Sequence, residues 1–216
     1  MVQEVEKPAG PRGRRTKDMP SGREALLSAA IRLFAAQGYD GTDIRGVAAA
    51  AGVGANLVRV HFGGKAELWT ASAERILSRA APMIEIVAQI SGDTELKVEE
   101  RLAIIIRKTA DFYKDNPEIC DFVYRSIADG GGRADFVADT LLVPAYASGK
   151  ATFDEAMATG IIRSRHPALF FIILTNALSQ PHGFPDILAK LAPEIGRDDS
   201  YLYLSMSVTE LFLHGI

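Results

Sequence analysis

Catalysis needs a nucleophile beside a base, a set of metal ligands, or a loop that cradles phosphate. This sequence spaces none of them. Its four histidines, His61, His166, His182 and His214, are scattered, with no HExxH run and no paired His–carboxylate spacing. Cys120 is the only cysteine and has no histidine near it in sequence. It allows neither an intrachain disulfide nor a thiolate metal cluster, and fits a reducing compartment. Gly130–Gly132 lacks the Lys-Ser/Thr that a phosphate loop requires. No enzyme, no metal and no cofactor are expected.

The chemistry that remains is charge, and its distribution says more than its sum. Net charge is −3, yet residues 1–65 hold ten Lys/Arg against six Asp/Glu, while residues 66–216 hold fourteen against twenty-one. A basic front on an acidic body suits nucleic-acid binding by one end, because phosphate attraction follows local charge. The competing reading of that front is a solvated tail.

The elements that must position this charge are helical. Residues 1–20 carry Pro8, Pro11, Pro20 and four basic residues between Arg12 and Lys17, which reads as a disordered basic arm. The arm either adds DNA contacts or is a solubilising tail. It has no apolar stretch of the secretory kind, and the longest apolar run, Ala168–Leu174, is too short for a bilayer. A soluble, cytoplasmic protein with no membrane partner is expected.

Order begins at Ser21, where Ser21 and Glu24 have capping-box spacing. Leu27, Ala30, Ile31 and Phe34 follow at helical spacing until Gly38 closes the helix. Thr42 is the next N-cap candidate, Gly52 the next stop, and a third short helix fits Gly54–Phe62. A long segment starts at Lys65, and Pro82 is expected to kink or divide it. Helices are then expected over 96–113 and 116–129, with Gly130–Gly132 as a plain loop. A region interrupted near Pro144 runs to Gly160, followed by apolar helices at 167–178 and 199–214 joined by a loop. No stretch alternates as a strand does. The chain reads as all-α, with a small first domain at 21–66 and a larger helical second domain at 67–216.

Within the first domain, Ile44–His61 has helix-turn-helix spacing. Two short helices crossing steeply need a small residue at their contact, supplied by Ala48, and a turn residue tolerant of positive φ, supplied by Gly52. Val47, Ala51, Val53 and Val58 supply the inward apolar side chains. A helical hairpin in an ordinary bundle produces the same pattern.

Gly38-Tyr39-Asp40-Gly41-Thr42, Ile44-Arg45-Gly46-Val47-Ala48, Ala51-Gly52-Val53, Leu57–Lys65 and Glu67-Leu68 stand in fixed register. Together they resemble the DNA-binding domain of the TetR family of transcriptional regulators. Beyond Leu68 the resemblance is one of length, helical character and an apolar last helix. It implies a homodimer on a palindromic double-stranded operator, with an unknown small-molecule effector that releases the DNA. It further implies that Gly54–His61 is the recognition helix, with Ala55, Asn56, Arg59 and Val60 toward the bases. Amide-to-adenine and guanidinium-to-guanine pairing suit Asn56 and Arg59. Thr42, Arg45, His61 and Lys65 fall where the family touches phosphate. Their structural alternatives are an N-cap for Thr42, packing beside Phe62 for His61, and plain solvation for Lys65. Gly46, Gly54, Val60 and Gly64 depart from the family pattern. Glycine inside a helix costs roughly 1 kcal/mol, so a helix-turn-helix that tightens on DNA is expected. A helical dimeric interaction module with weak or lost DNA binding is the rival reading.

In the second domain, Leu169–Leu174 is apolar around the whole helix and must be covered on opposite sides. Phe171, Leu174, Leu204, Val208, Leu211 and Phe212 are the expected dimer contacts; the rival is two central helices of a monomeric core. Trp69, Phe112, Cys120, Tyr124, Arg125, Met157 and Phe170 are candidates to line an effector pocket, with Arg125 or His166 as a polar handle.

Overall fold

A computed structural model describes residues 21–180 and 183–213 of the chain. The expectations for the 1–20 arm, His182 and 214–216 lie outside the described residues. Eleven α-helices are present among those described: α1 Gly22–Gly41, α2 Ile44–Ala50, α3 Asn56–Phe62, α4 Lys65–Gly92, α5 Val98–Asp115, α6 Pro117–Asp129, α7 Gly131–Val137, α8 Val143–Ala158, α9 Pro167–Leu178, α10 Phe184–Leu191 and α11 Ser200–Leu213. A π-helical turn, Ala138–Leu142, leads into α8, and no described residue is in a strand. No helix among the described residues is long and apolar enough to cross a membrane.

Two cores divide the work. The first gathers Leu27, Ala30, Ile31 and Phe34 of α1, Val47 and Ala48 of α2, Val58 of α3, and Leu68 and Trp69 of α4. It does not end at residue 66, because Ile119 and Phe122 of α6 and Val137 of α7 close it from below. The second packs Leu102 and Ile106 of α5 with Phe153 of α8, Phe170 and Leu174 of α9 and Val208 of α11. Arg101 pins its upper end. Its guanidinium donates to the Ser91 carbonyl at 3.1 Å and to Glu155, while Ser91 and Thr152 share a hydrogen bond of 2.8 Å.

Several elements depart from the sequence expectation. Ser21 Oγ accepts the Glu24 N–H at 3.3 Å, but Glu24 does not complete the capping box. Both its oxygens accept from one Arg75 nitrogen of α4, Nη2, at 3.0 and 2.8 Å, a charge-assisted contact stronger than a link to one backbone N–H. The cap of α2 is Asp43, not Thr42: Asp43 Oδ1 accepts the Gly46 N–H at 2.9 Å.

Pro82 does not divide α4, which runs unbroken as one helix of 28 residues, about 42 Å at 1.5 Å per residue. The proline and the residue four before it, Ser78, are both exposed, so water can take the carbonyl that the ring leaves free. Gly131 and Gly132 are not loop but the first turn of α7. Phe136 on that helix meets the Trp69 ring edge-on at 5.8 Å, packing that outweighs the helix cost of two glycines. The expected loop after α9 contains α10, whose Phe184 packs edge-to-face on Tyr201 at 5.6 Å.

Candidate nucleic-acid interface and ligand cavity

The helix-turn-helix is held by a few backbone constraints. α1 kinks at Gly38, where φ is +76°. The positive φ calls for glycine, and a Cβ there would lie 2.4 Å from Arg125 Nε and 2.8 Å from Asp129 Oδ1, so both side-chain ends would have to shift. The kink turns the Tyr39 N–H toward Asp129, whose carboxylate accepts it at 2.7 Å. Arg125 pairs with Asp129 at 3.2 Å and donates to the Gln37 carbonyl at 3.3 Å. The end of α6 therefore grips the end of α1. Past Asp43, α2 stops at Gly52, with φ +66°, and the Val53 N–H returns to the Ala48 carbonyl at 3.0 Å.

That turn seats α3 on one face. Val58 is fully buried and Leu57 half-buried, whereas Ala55, Asn56, Arg59, Val60 and His61 are exposed. Asn56, Arg59 and Val60 thus share the open side of one short helix, with Ala55 exposed just before its first residue. Arg45 is exposed on α2. His61 is exposed as well, with its ring edge-on to Phe62 at 6.3 Å. Lys65 is neither free nor merely solvated: its ammonium lies 4.5 Å from the centre of the Tyr39 ring, a cation–π contact that aims it. Thr42 is the exception. It is 1% exposed and its hydroxyl donates to the Gly38 carbonyl at 2.8 Å, so it locks the kink and does not present its hydroxyl outward.

A second feature lies between α4, α5, α6, α8 and α9: a cavity of about 310 Å³, at the small end of the range for ligand pockets. Of the sequence candidates, Phe112, Cys120 and Tyr124 line it; Trp69, Arg125, Met157 and Phe170 do not. Trp69 stacks on Phe122 at 5.9 Å in the first core. Arg125 serves the α1 kink. Phe170 meets Phe153 and Phe212 edge-on in the second core, at 5.3 and 5.1 Å, and Met157 packs against the same core. His166 is no handle either, since its Nδ1 caps α9 by accepting the Ala168 N–H at 3.1 Å.

Sequence reasoning missed Ile84, Val123, Ile127, Leu141, Asn176 and Ser179, all of which line the cavity. Part of that was readable. Ile119, Val123 and Ile127 recur every four residues on α6, and Asn176 interrupts an otherwise apolar helix. No charged side chain among the described residues lines the space. Burial pushes the Cys120 thiol up to about 12, with the negative charge of Asp121 adding to it. Burial likewise raises the Tyr113 phenol far above its ordinary range.

The expected dimer contacts also divide. Leu211 is 74% exposed. Leu174 and Val208 are buried inside the protomer, and Phe171 lines the cavity. Leu204 and Phe212 are part-buried against the second core. The exposed arc of α9 is instead Leu169, Ile172 and Ile173, and that of α11 is Leu202, Tyr203, Met206 and Leu211.

Against known proteins, residues 26–71 match the family model of bacterial regulatory proteins, tetR family. A search of curated protein sequences finds no match. Among solved structures the fold resembles the TetR family transcriptional regulator PfmR from Thermus thermophilus, at 17% identity and TM-score 0.64, over 91% of this chain and 98% of that one. It also resembles HlyIIR, a hemolysin II transcriptional regulator, at 18% and 0.64, over 89% and 97% of the two chains. The fatty acid degradation regulator FadR from Bacillus halodurans is similar at 15% and 0.60, over 89% and 98%. At such identities the likeness is one of fold. The family match falls on the helix-turn-helix itself, so residues 26–71 are a helix-turn-helix segment of the tetR-family type, and the all-helical two-core architecture around it is the fold of these solved regulators.

Proposed function

We propose that two copies of this chain bind a palindromic operator in the cytoplasm and repress transcription until a small molecule enters the cavity between α4, α6 and α9. The observation that carries the reading is the outward pair on α3. Asn56 and Arg59 are both exposed, one helical turn apart, while Val58 roots the opposite face in the core. An amide and a guanidinium so placed can pair bidentately with adenine and guanine edges. Ala55 and Val60, the latter 70% exposed, suit apolar contact with thymine methyls. Arg45, His61 and Lys65 surround this face and supply phosphate contacts; Thr42 supports them from within. A role in catalysis is not part of this reading, because the chemistry it assigns to the chain is binding at two sites.

Selection of bound fragments from genomic DNA, followed by footprinting, tests it. The expected result is a two-fold symmetric footprint with half-sites one helical turn apart, roughly 34–36 Å, or a multiple of that. Failure to enrich any sequence, or an asymmetric footprint, counts against it and favours an interaction module.

A further inference from the structure

Six hydroxyl side chains line the cavity, and four of them are already engaged. Ser148 gives its proton to the Ala145 carbonyl at 2.7 Å, and Thr175 to the Phe171 carbonyl at 2.8 Å. Tyr124 and Ser179 share a hydrogen bond of 2.6 Å, on a side where Tyr124 is 42% exposed. Thr109 and Tyr113 of α5 have no hydrogen-bond partner among the described residues. For Thr109 this departs from the habit of the molecule, since Thr70, Thr159, Thr175 and Thr209 each donate to the carbonyl four residues back. The two stand one helical turn apart on the same face of α5, and both border the cavity. Desolvation by burial, with Cys120 and Tyr124 adding to it, raises the Tyr113 phenol so far that it stays protonated through the ordinary range of pH. Tyr113 is therefore a lasting donor without a protein acceptor among the described residues, beside a space with no charged side chain on its walls.

We infer, building on the effector reading above, that the cavity takes an uncharged apolar molecule whose polar group accepts a hydrogen bond from Tyr113, as the carbonyl of a ketone or ester does. A donor left without an acceptor in a low-dielectric space is costly. A ligand carbonyl removes that cost while the rest of the molecule fills the apolar walls, among them Ile84, Val123 and Ile127. Thr109, a turn away, offers a second proton to the same group, whose oxygen has two lone pairs. A plain hydrocarbon fills the same walls and leaves both hydroxyls unserved. A carboxylate accepts as well, but brings its charge to a space where no cation meets it. An ammonium brings donors to donors.

Equilibrium dialysis of the full chain with two matched probes tests this: valerophenone, and pentylbenzene, in which a methylene stands in place of the carbonyl. The wild type is compared with Tyr113→Phe, which removes the hydroxyl and keeps the ring, and with Val123→Trp, which fills the cavity. The readout is how the ratio of the two affinities changes from chain to chain, in which the probes' different hydrophobicities cancel. Tyr113→Phe should weaken valerophenone by about fivefold to tenfold, the worth of one hydrogen bond, and leave pentylbenzene unchanged or slightly tighter. Thr109→Val should move the ratio in the same direction. The carboxylate of pentylbenzoic acid should bind more weakly than valerophenone near neutral pH, and gain affinity as acidification makes it neutral. A ratio that Tyr113→Phe leaves unchanged overturns the assignment, whatever Thr109→Val does; if Val123→Trp still abolishes the binding of both probes, the cavity reading stands without it. A carboxylate that binds as tightly as the ketone at neutral pH overturns the requirement for an uncharged molecule. If neither probe binds the wild type, or both bind Val123→Trp equally well, the effector reading fails and takes this assignment with it. Competition between the two probes for one site on the wild type replaces Val123→Trp should that variant not fold.

Discussion

Gly38 joins the helix-turn-helix to the rest of the chain through two features, a positive φ and the close approach of the Arg125 and Asp129 side-chain ends. Gly52 has only the first, since a Cβ there would meet nothing within 4 Å. Gly52→Ala should therefore cost about 1–2 kcal/mol, the strain of a left-handed alanine. Gly38→Ala should cost clearly more, because Arg125 and Asp129 must also give way. Thermal melts of the two variants side by side check this; equal losses would refute the steric part. The neighbouring Thr42 and Asp43 show where sequence reading stops at this scale. Both side chains can cap a helix, and the choice between them is made by the Gly38 carbonyl, which captures the threonine hydroxyl. That carbonyl is positioned by a kink whose grip comes from Asp129, far along the chain. No local pattern encodes it.

The helix-turn-helix is assembled from short helices with little internal support. α2 and α3 have seven residues each, well below the length at which a helix is stable in isolation. α3 has no side-chain cap, and Gly46 sits inside α2. Amide exchange over residues 44–62 should therefore be fast in the free protein and slow markedly when operator is bound. Equal protection in both states would contradict the idea that DNA tightens this unit. Element by element, the sequence was informative wherever apolar spacing and a glycine stop agreed, as in α1, α2 and α3. It misled where distant packing reversed a local preference. Gly131 and Gly132 enter a helix because Phe136 finds Trp69, and Pro82 stays in one because it faces water. The cavity was only partly legible for a related reason. α6 is apolar toward two places at once, with Phe122 in the first core and Cys120 and Tyr124 in the cavity, and periodicity alone does not say which arc faces which.

At the scale of the molecule, α9 and α11 present a broad apolar surface that includes Ile173 at 53% and Leu211 at 74% exposure. Exposed apolar arcs on two neighbouring helices suit burial in an interface, and a self-complementary pairing about a two-fold axis would cover them. Ile173→Asp and Leu211→Asp should shift the protein from dimer to monomer in sedimentation equilibrium with little loss of secondary structure; a wild type that is already monomeric would refute the pairing. The sequence identified these two helices but not their outward arcs, since a helix apolar all round hides which side the core has taken. In the dimer proposed above, two copies would bring two α3 helices to one duplex. The decisive measurement is the affinity of wild type and Arg59→Ala for the selected operator and for a scrambled duplex of equal length, at one fixed salt concentration. Loss of the Arg59 base contact should cost about 1–3 kcal/mol per half-site on the operator and far less on the scrambled duplex. An unchanged ratio between the two duplexes would mean that α3 does not read the bases.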